Sequence, residues 1–225
     1  MEIFTPGTML ELPLFPLNTV LFPGSSLPLH VFEERYKQMM AYCLEHGSSF
    51  GIVLIKEGQE VGGPATPFDI GTVARISYTQ RLDKGRLNLL ARGEQRFRIA
   101  SLLRKEPYPV ALVATLASED GDGPEAMARA REVAGHFADY YRFYLALSHQ
   151  WSRSIQLPPE PDALADFVAG RLLVDRLVKQ TLLETLPVPQ RLAQEAAILE
   201  EQEHILANRV RAFYNQQWRS PAVRN

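Results

Sequence analysis

The chain reads as an α+β protein: a β-rich first half that carries one inserted helix, then a purely helical second half. Three observations predict this. Before residue 118 the apolar residues come in short Val-, Ile-, Leu- and Phe-rich runs punctuated by Pro and Gly, as strands and turns do. After it they recur at helical spacing. Between the two lies Ser118-Glu119-Asp120-Gly121-Asp122-Gly123-Pro124, an acidic, Gly-rich connector. The expected division is therefore a β-rich subdomain over 1–117, a linker over 118–124 and a helical bundle over 125–225.

In order, the expected strands are Leu10–Leu14, Leu27–Phe32, Phe50–Lys56, Thr72–Arg81, Arg86–Arg92, Arg96–Leu103 and Val110–Leu116. Leu82-Asp83-Lys84-Gly85 reads as a hairpin turn, since Asp and Gly tolerate left-handed backbone. Pro13, Pro16, Pro23 and Pro28 lack backbone donors, which makes the first two strands edge strands or bent ones. The inserted helix spans Glu33 to His46, where Tyr36, Met39, Met40 and Cys43 share a face. Acidic residues open it and His46-Gly47 closes it.

In the second half, Ala126, Ala130, Val133, Phe137, Tyr141, Tyr144 and Ser148 form one stripe. Asp162, after a Pro-rich break, is a plausible N-cap for a helix over Ala163–Leu172. A further helix runs over Arg176–Thr185. The last, from Pro189 to Arg219, places Leu192, Leu199, Leu206 and Phe213 every seven residues. Glu203 and Gln217 interrupt the complementary positions, so an amphipathic helix packed on its own domain fits better than a coiled coil.

Composition bounds the function. The 225 residues are 46% apolar and 22% charged, ordinary globular usage, with no apolar stretch long enough to span a bilayer. The first residues lack the basic and apolar regions of a secretory signal. A single cysteine, Cys43, rules out an intrachain disulfide and a multi-Cys zinc site. The expected location is cytoplasmic. Net charge is −2, distributed as −5 over 1–70, +6 over 71–117 and −3 over 118–225. The basic middle is mostly arginine, namely Arg75, Arg81, Arg86, Arg92, Arg96, Arg98 and Arg104. That segment is either the solvated face of a sheet or a patch that steers an anionic partner.

Reaction chemistry finds no footing. Gly47-Ser48-Ser49-Phe50-Gly51 matches G-x-S-x-G, but a nucleophile elbow needs a strand before the serine and a helix after it, and here the order is reversed. The match reads as a helix C-cap. Cys43 reads as a core side chain. No phosphate-binding loop occurs, the five histidines are scattered without a paired spacing, and an EF-hand loop counted from Asp120 would put Pro124 at a ligand position. The expectation is a protein with no catalytic residue, no cofactor and no metal, and no residue set argues for a small-molecule sensor.

The run Leu12-Pro13-Leu14-Phe15-Pro16-Leu17-Asn18-Thr19-Val20-Leu21-Phe22-Pro23-Gly24, continued by Leu27-Pro28-Leu29-His30-Val31-Phe32-Glu33-Glu34-Arg35-Tyr36, resembles the amino-terminal, substrate-binding domain of the ATP-dependent protease Lon, particularly the stand-alone bacterial proteins made of that domain alone. Gly71-Thr72-Val73-Ala74-Arg75-Ile76, Gly93-Glu94-Gln95-Arg96-Phe97-Arg98-Ile99 and Lys179-Gln180-Thr181-Leu182-Leu183-Glu184 agree in order and spacing. The resemblance implies a PUA-like pseudo-barrel followed by a helical bundle. It also implies a module without the ATPase and protease domains of Lon, which would serve proteolysis as a recognition element or in trans to an ATP-dependent protease. The partners it implies are unfolded or exposed apolar polypeptide segments, bound at a surface that includes Phe15, Pro16, Phe22, Pro23, His30, Phe32 and Tyr36. The rival reading is an RNA-binding PUA-like protein that uses Arg75, Arg81, Arg86, Arg92, Arg96 and Arg98. A membrane partner is not expected.

Overall fold

The computed structural model describes residues 5–63, 65–147 and 155–219. They form β1 (Met9–Leu17), β2 (Ser26–Val31), α1 (Glu34–His46), β3 (Phe50–Gly58), β4 (Ala65–Pro67), β5 (Ile70–Arg81), β6 (Leu87–Arg104), β7 (Val110–Leu116), α2 (Pro124–Leu147), α3 (Pro161–Arg171), α4 (Arg176–Glu184) and α5 (Val188–Arg219). The β-rich half followed by helices is the architecture the sequence predicts.

The sheet closes on itself. Its strands run β1-β7-β6-β5-β3, and β3 then pairs parallel with β1, while β4 adds to β3 and β2 adds to β6. Closure explains the apolar runs in the sequence, because the strands are buried on both faces. Leu12, Leu14, Val53, Val73, Phe97, Ala111 and Val113 form one cluster. The alternate residues Phe15, Leu17, Ile52, Ala74 and Val110 join the α1 stripe of Tyr36, Met39, Met40 and Cys43 in a second. Each fully buried large side chain contributes about 1.5–3 kcal/mol.

Phe97 fills the first cluster and dictates glycine around it. A Cβ on Gly51 would lie 2.7 Å from the Phe97 ring and 2.8 Å from Leu14. On Gly71 it would lie 2.5 Å from the Ile52 carbonyl oxygen and 2.9 Å from the same ring. Both positions need an absent side chain rather than a special backbone angle.

Three strand expectations change. β1 is not an edge strand: it pairs with β7 along Met9–Pro13 and with β3 along Leu14–Leu17, changing partner between the two prolines. β2 is the edge strand expected, paired with β6. The two strands expected over 86–103 are one, β6, because Gly93 does not interrupt it. That glycine instead admits the Phe22 carbonyl, which would sit 2.4 Å from its Cβ. The three-residue β4 was not anticipated, being too short for a periodic signal.

By contacts the chain divides into two compact units, residues 1–119 with 169–186, and 120–168 with 187–225. Residues 169–186, which the sequence reading assigned to the bundle, thus belong with the barrel. The reason lies in two buried polar bonds: Gln180 Nε2 donates to the Ile70 carbonyl at 3.0 Å and Arg96 Nε to the Leu183 carbonyl at 2.9 Å. Asp175 caps α4 by accepting from the Leu177 amide at 2.7 Å.

In the second unit, α2 packs along α5. The buried face of α2 is Ala126, Ala130, Val133, Phe137 and Tyr140, so it turns toward Tyr140 where the stripe read from sequence continued to Tyr141. Ser148 lies outside the described residues. Leu192, Leu199 and Leu206 of α5 are buried as their spacing predicts, and the side chain of Phe213 lies outside the described residues. Glu203, which interrupts the seam, lies 3.1 Å from His136 Nδ1 on α2. α3 begins at Pro161, one residue before its expected cap Asp162.

Substitutions at the barrel glycines are expected to separate by what each Cβ meets. Gly51→Ala should destabilise by about 1–3 kcal/mol and Gly71→Ala by more, since a backbone oxygen cannot move aside as a ring can. Gly135→Ala, mid-helix with nothing within 4 Å, should instead stabilise by about 0.5–1 kcal/mol. Urea denaturation of the three variants measures the order.

Candidate functional site

A surface groove of about 280 Å³ runs beside β2. Its floor is Phe15 of β1 and Tyr36 of α1, whose rings lie 4.3 Å apart at 39°. Leu17, Leu27 and Leu29 extend the apolar lining. At the rim stand two large apolar residues that the fold leaves open, Phe32 at 49% and Val61 at 52% exposure. His30, exposed, stacks on Phe32 with centroids 5.9 Å apart, and its Nδ1 donates to Asn88 Oδ1 at 2.7 Å.

The loop between β3 and β4 is tied over this groove by polar contacts. The Asn18 amide donates to Glu60 Oε2 and the Gly62 amide to Glu33 Oε2, each at 3.2 Å. Arg35 pairs with Glu33 at 3.0 Å, donates to the Gly63 carbonyl at 3.4 Å and covers the Tyr36 ring at 4.6 Å. Burial raises the Tyr36 hydroxyl above its ordinary pKa; Arg35 works against this, while Glu33 and Glu60 add to it.

Tyr36 also lines a larger cavity of about 910 Å³. Pro16, Pro67, Pro107 and Pro109 wall it, with Leu102 46% exposed at its margin. Arg35, Lys105, Glu57 and Glu106 supply its charge.

Of the surface expected from sequence, Phe15, His30, Phe32 and Tyr36 meet at the first groove, and Pro16 and Tyr36 line the second cavity. Phe22 does not take part. It is fully buried, because the Thr72 hydroxyl donates to the Leu21 carbonyl at 2.6 Å and the Gly24 amide to the Gly93 carbonyl at 2.9 Å, drawing this segment onto the barrel. Pro23 beside it is half-buried and lines neither cavity. Sequence reading missed Val61, Glu60 and Arg35 at the site. The only local signal for the loop was the glycine spacing Gly58, Gly62 and Gly63.

The arginines do not form one free face. Arg96 is 3% exposed and bonded to Leu183, and Arg75 is tied to Glu94 at 3.0 Å. Arg81, Arg86, Arg92 and Arg98 are exposed. Gly47 takes the left-handed conformation of a helix C-cap, with its amide donating to the Cys43 carbonyl, so Gly47-Ser48-Ser49 follows a helix rather than opening one. Among the described residues no group of three or more His, Cys, Asp or Glu side chains is placed to hold a metal ion. No described helix is long and apolar enough to cross a membrane.

The first unit is thus a closed barrel with an edge strand, a covering helix and an open apolar groove beside them. The chain belongs to the family of the ATP-dependent protease La (LON) substrate-binding domain, whose profile it matches over residues 11–201. It is 30% identical over 199 residues to the Lon protease of Brevibacillus choshinensis, covering 87% of this chain and 25% of that one. To the Lon protease of Escherichia coli (strain K12) it is 27% identical over 199 residues, covering 88% and 25%. The chain thus spans about a quarter of the length of the curated relatives it matches. Among solved structures, the Lon N-terminal domain protein from Xanthomonas campestris superposes with TM-score 0.60 at 29% identity, covering 84% of this chain and 98% of that one. The N-terminal domain of Mycobacterium avium complex Lon protease gives TM-score 0.64 with the same coverage at 19% identity, a likeness of fold alone.

Burial pushes the Cys43 thiol up from its ordinary value near 9.0 to about 11. The native protein should therefore resist a thiol-specific disulfide reagent near pH 8 and react with it once denatured. Because the folded thiol holds its proton more tightly than the unfolded one, its contribution to stability is complete below pH 9.0 and is lost as pH rises toward 11. Cys43→Ala should flatten that part of the pH–stability curve.

Proposed function

We propose that this chain is a non-catalytic recognition module that binds unfolded or exposed apolar polypeptide segments and presents them for proteolysis by an ATP-dependent protease. The observation that carries this reading is the groove beside β2, an apolar channel whose rim keeps Phe32 and Val61 half in water. Large apolar side chains held open at the margin of a cleft mark a binding surface, since a fold gains about 25 cal/mol per Å² by covering them. The family match supports it, and so does the likeness to Lon N-terminal structures.

The chemistry of the groove suits side chains of a polypeptide rather than phosphates. Its walls are leucine and aromatic carbon with two carboxylates, Glu33 and Glu60. The arginine segment supplies a weaker case for nucleic acid, because Arg75 and Arg96 are already engaged by Glu94 and Leu183.

The test is binding of a permanently unfolded protein, reduced and carboxymethylated, followed by fluorescence anisotropy. The wild-type chain should bind it with an affinity that changes little with salt, unlike phosphate contacts, which weaken steeply. The double variant Phe32→Ser, Val61→Ser should lose about tenfold in affinity, equivalent to about 1.4 kcal/mol, with an unchanged denaturation midpoint. Full affinity in that variant would move the site elsewhere, and no binding by the wild type would refute the reading.

A further inference from the structure

Pro28 lies in the middle of β2, and its place in the ladder reveals which backbone groups of that strand are unused. β2 pairs antiparallel with β6 in the register Ser26 to Arg92, Pro28 to Leu90 and His30 to Asn88. Facing residues in such a ladder alternate between pairs that exchange two hydrogen bonds and pairs that exchange none. Pro28 has no N–H to give, so Pro28–Leu90 is a pair that exchanges none, and the parity carries to Ser26 and His30. The Leu90 carbonyl agrees: it accepts from the Ser77 hydroxyl of β5, on the far side of β6 from β2, at 2.9 Å.

It follows that the backbone N–H and C=O of Ser26 and His30, and the C=O of Pro28, point away from β6. Among the described residues β2 pairs with no second strand. The groove flanks that open side. Leu27 and Leu29 line it together with the alternate residues Pro28 and His30, as happens where a channel runs along a strand's edge and not along one face.

We infer that an extended polypeptide segment binds in this groove as an added strand on the open edge of β2, hydrogen-bonded to Ser26, Pro28 and His30 while its alternate apolar side chains enter the groove. The inference rests on reading the groove as a polypeptide site. The unused backbone groups select an extended chain rather than a helix, whose own amides are satisfied. Charge narrows the occupant further. Glu33 is neutralised by Arg35, whereas Glu60 accepts from the Asn18 amide, so the groove keeps a negative charge. The segment bound best is apolar with a basic residue.

The probe is a fluorescein-labelled synthetic peptide of alternating valine and serine with one lysine, tested against the whole chain. Two versions carry backbone N-methyl groups on alternate residues, one on each edge of the strand. One version should lose about tenfold or more in affinity and the other stay within about twofold, since each lost hydrogen bond is worth several-fold. His30→Pro, which removes the remaining central donor without touching the ladder to β6, should weaken the parent peptide about fivefold or more, and His30→Ala, which keeps that donor, by less. A glutamate in place of the lysine should weaken binding. If His30→Pro misfolds, the methylated pair on the wild-type chain decides alone. Equal binding of both methylated versions overturns strand addition while leaving the groove a polypeptide site. Failure of the parent peptide and of the unfolded protein alike removes that site reading itself. A dimer of the chain that His30→Pro dissociates and the peptide does not displace assigns the edge to self-association instead.

Discussion

The structure depends on one steric fit, Phe97 inside a barrel too narrow to admit any side chain at Gly51 or Gly71. β3, β5 and β6 approach closely because those two positions are bare, and the ring occupies the space their side chains would take. With β3 and β5 held against β6, β3 is free on its other side to meet β1 in parallel, and the sheet closes. Closure removes the edges of five strands and leaves β2 and β4 as the outlying ones.

Everything near the groove follows from that closure. The outer wall of the barrel presents Phe15, Leu17, Ile52 and Ala74, which must be covered, and α1 covers them with Tyr36, Met39, Met40 and Cys43. Phe15 and Tyr36 form the floor of a channel that Phe32 and Val61 flank. Arg35 then acts twice beside the groove, holding the loop through Gly63 and Glu33 and covering the Tyr36 ring. A single helical turn thus carries the groove's floor and the tie on its loop.

Prolines partition the strands. In β1, Pro13 faces Val110 of β7 and Pro16 faces Val53 of β3, on either side of the point where the strand changes partner. A residue that cannot donate is tolerated where a strand is paired on only one side, and the ladders of β1 place Pro13 against β7 alone and Pro16 against β3 alone. In β2 the same property of Pro28 leaves the open edge short of one donor. Polar side chains tie α4 to the barrel: Gln180 of α4 donates to the Ile70 carbonyl of β5, and Arg96 of β6 donates to the Leu183 carbonyl of α4.

Local order was legible in the residues themselves. The α1 stripe, the Gly47 stop, β7 and the leucine spacing of α5 are periodicities and caps, decided within a turn or two of chain, and they appear where the sequence places them. Phe15, His30, Phe32 and Tyr36 belong to one continuous motif, and the fold brings them to one groove. The amino acids did not disclose which phenylalanine would be buried, that Gly93 lies within one long strand, that Arg96 is internal, or that α4 belongs to the barrel unit. Each of these is settled by a partner remote in the chain: Phe22 by Thr72 and Gly93, Arg96 by Leu183, Gln180 by Ile70. Periodicity reports which face of an element is apolar, whereas burial and exposure are properties of what packs against that face, and only the folded chain determines that.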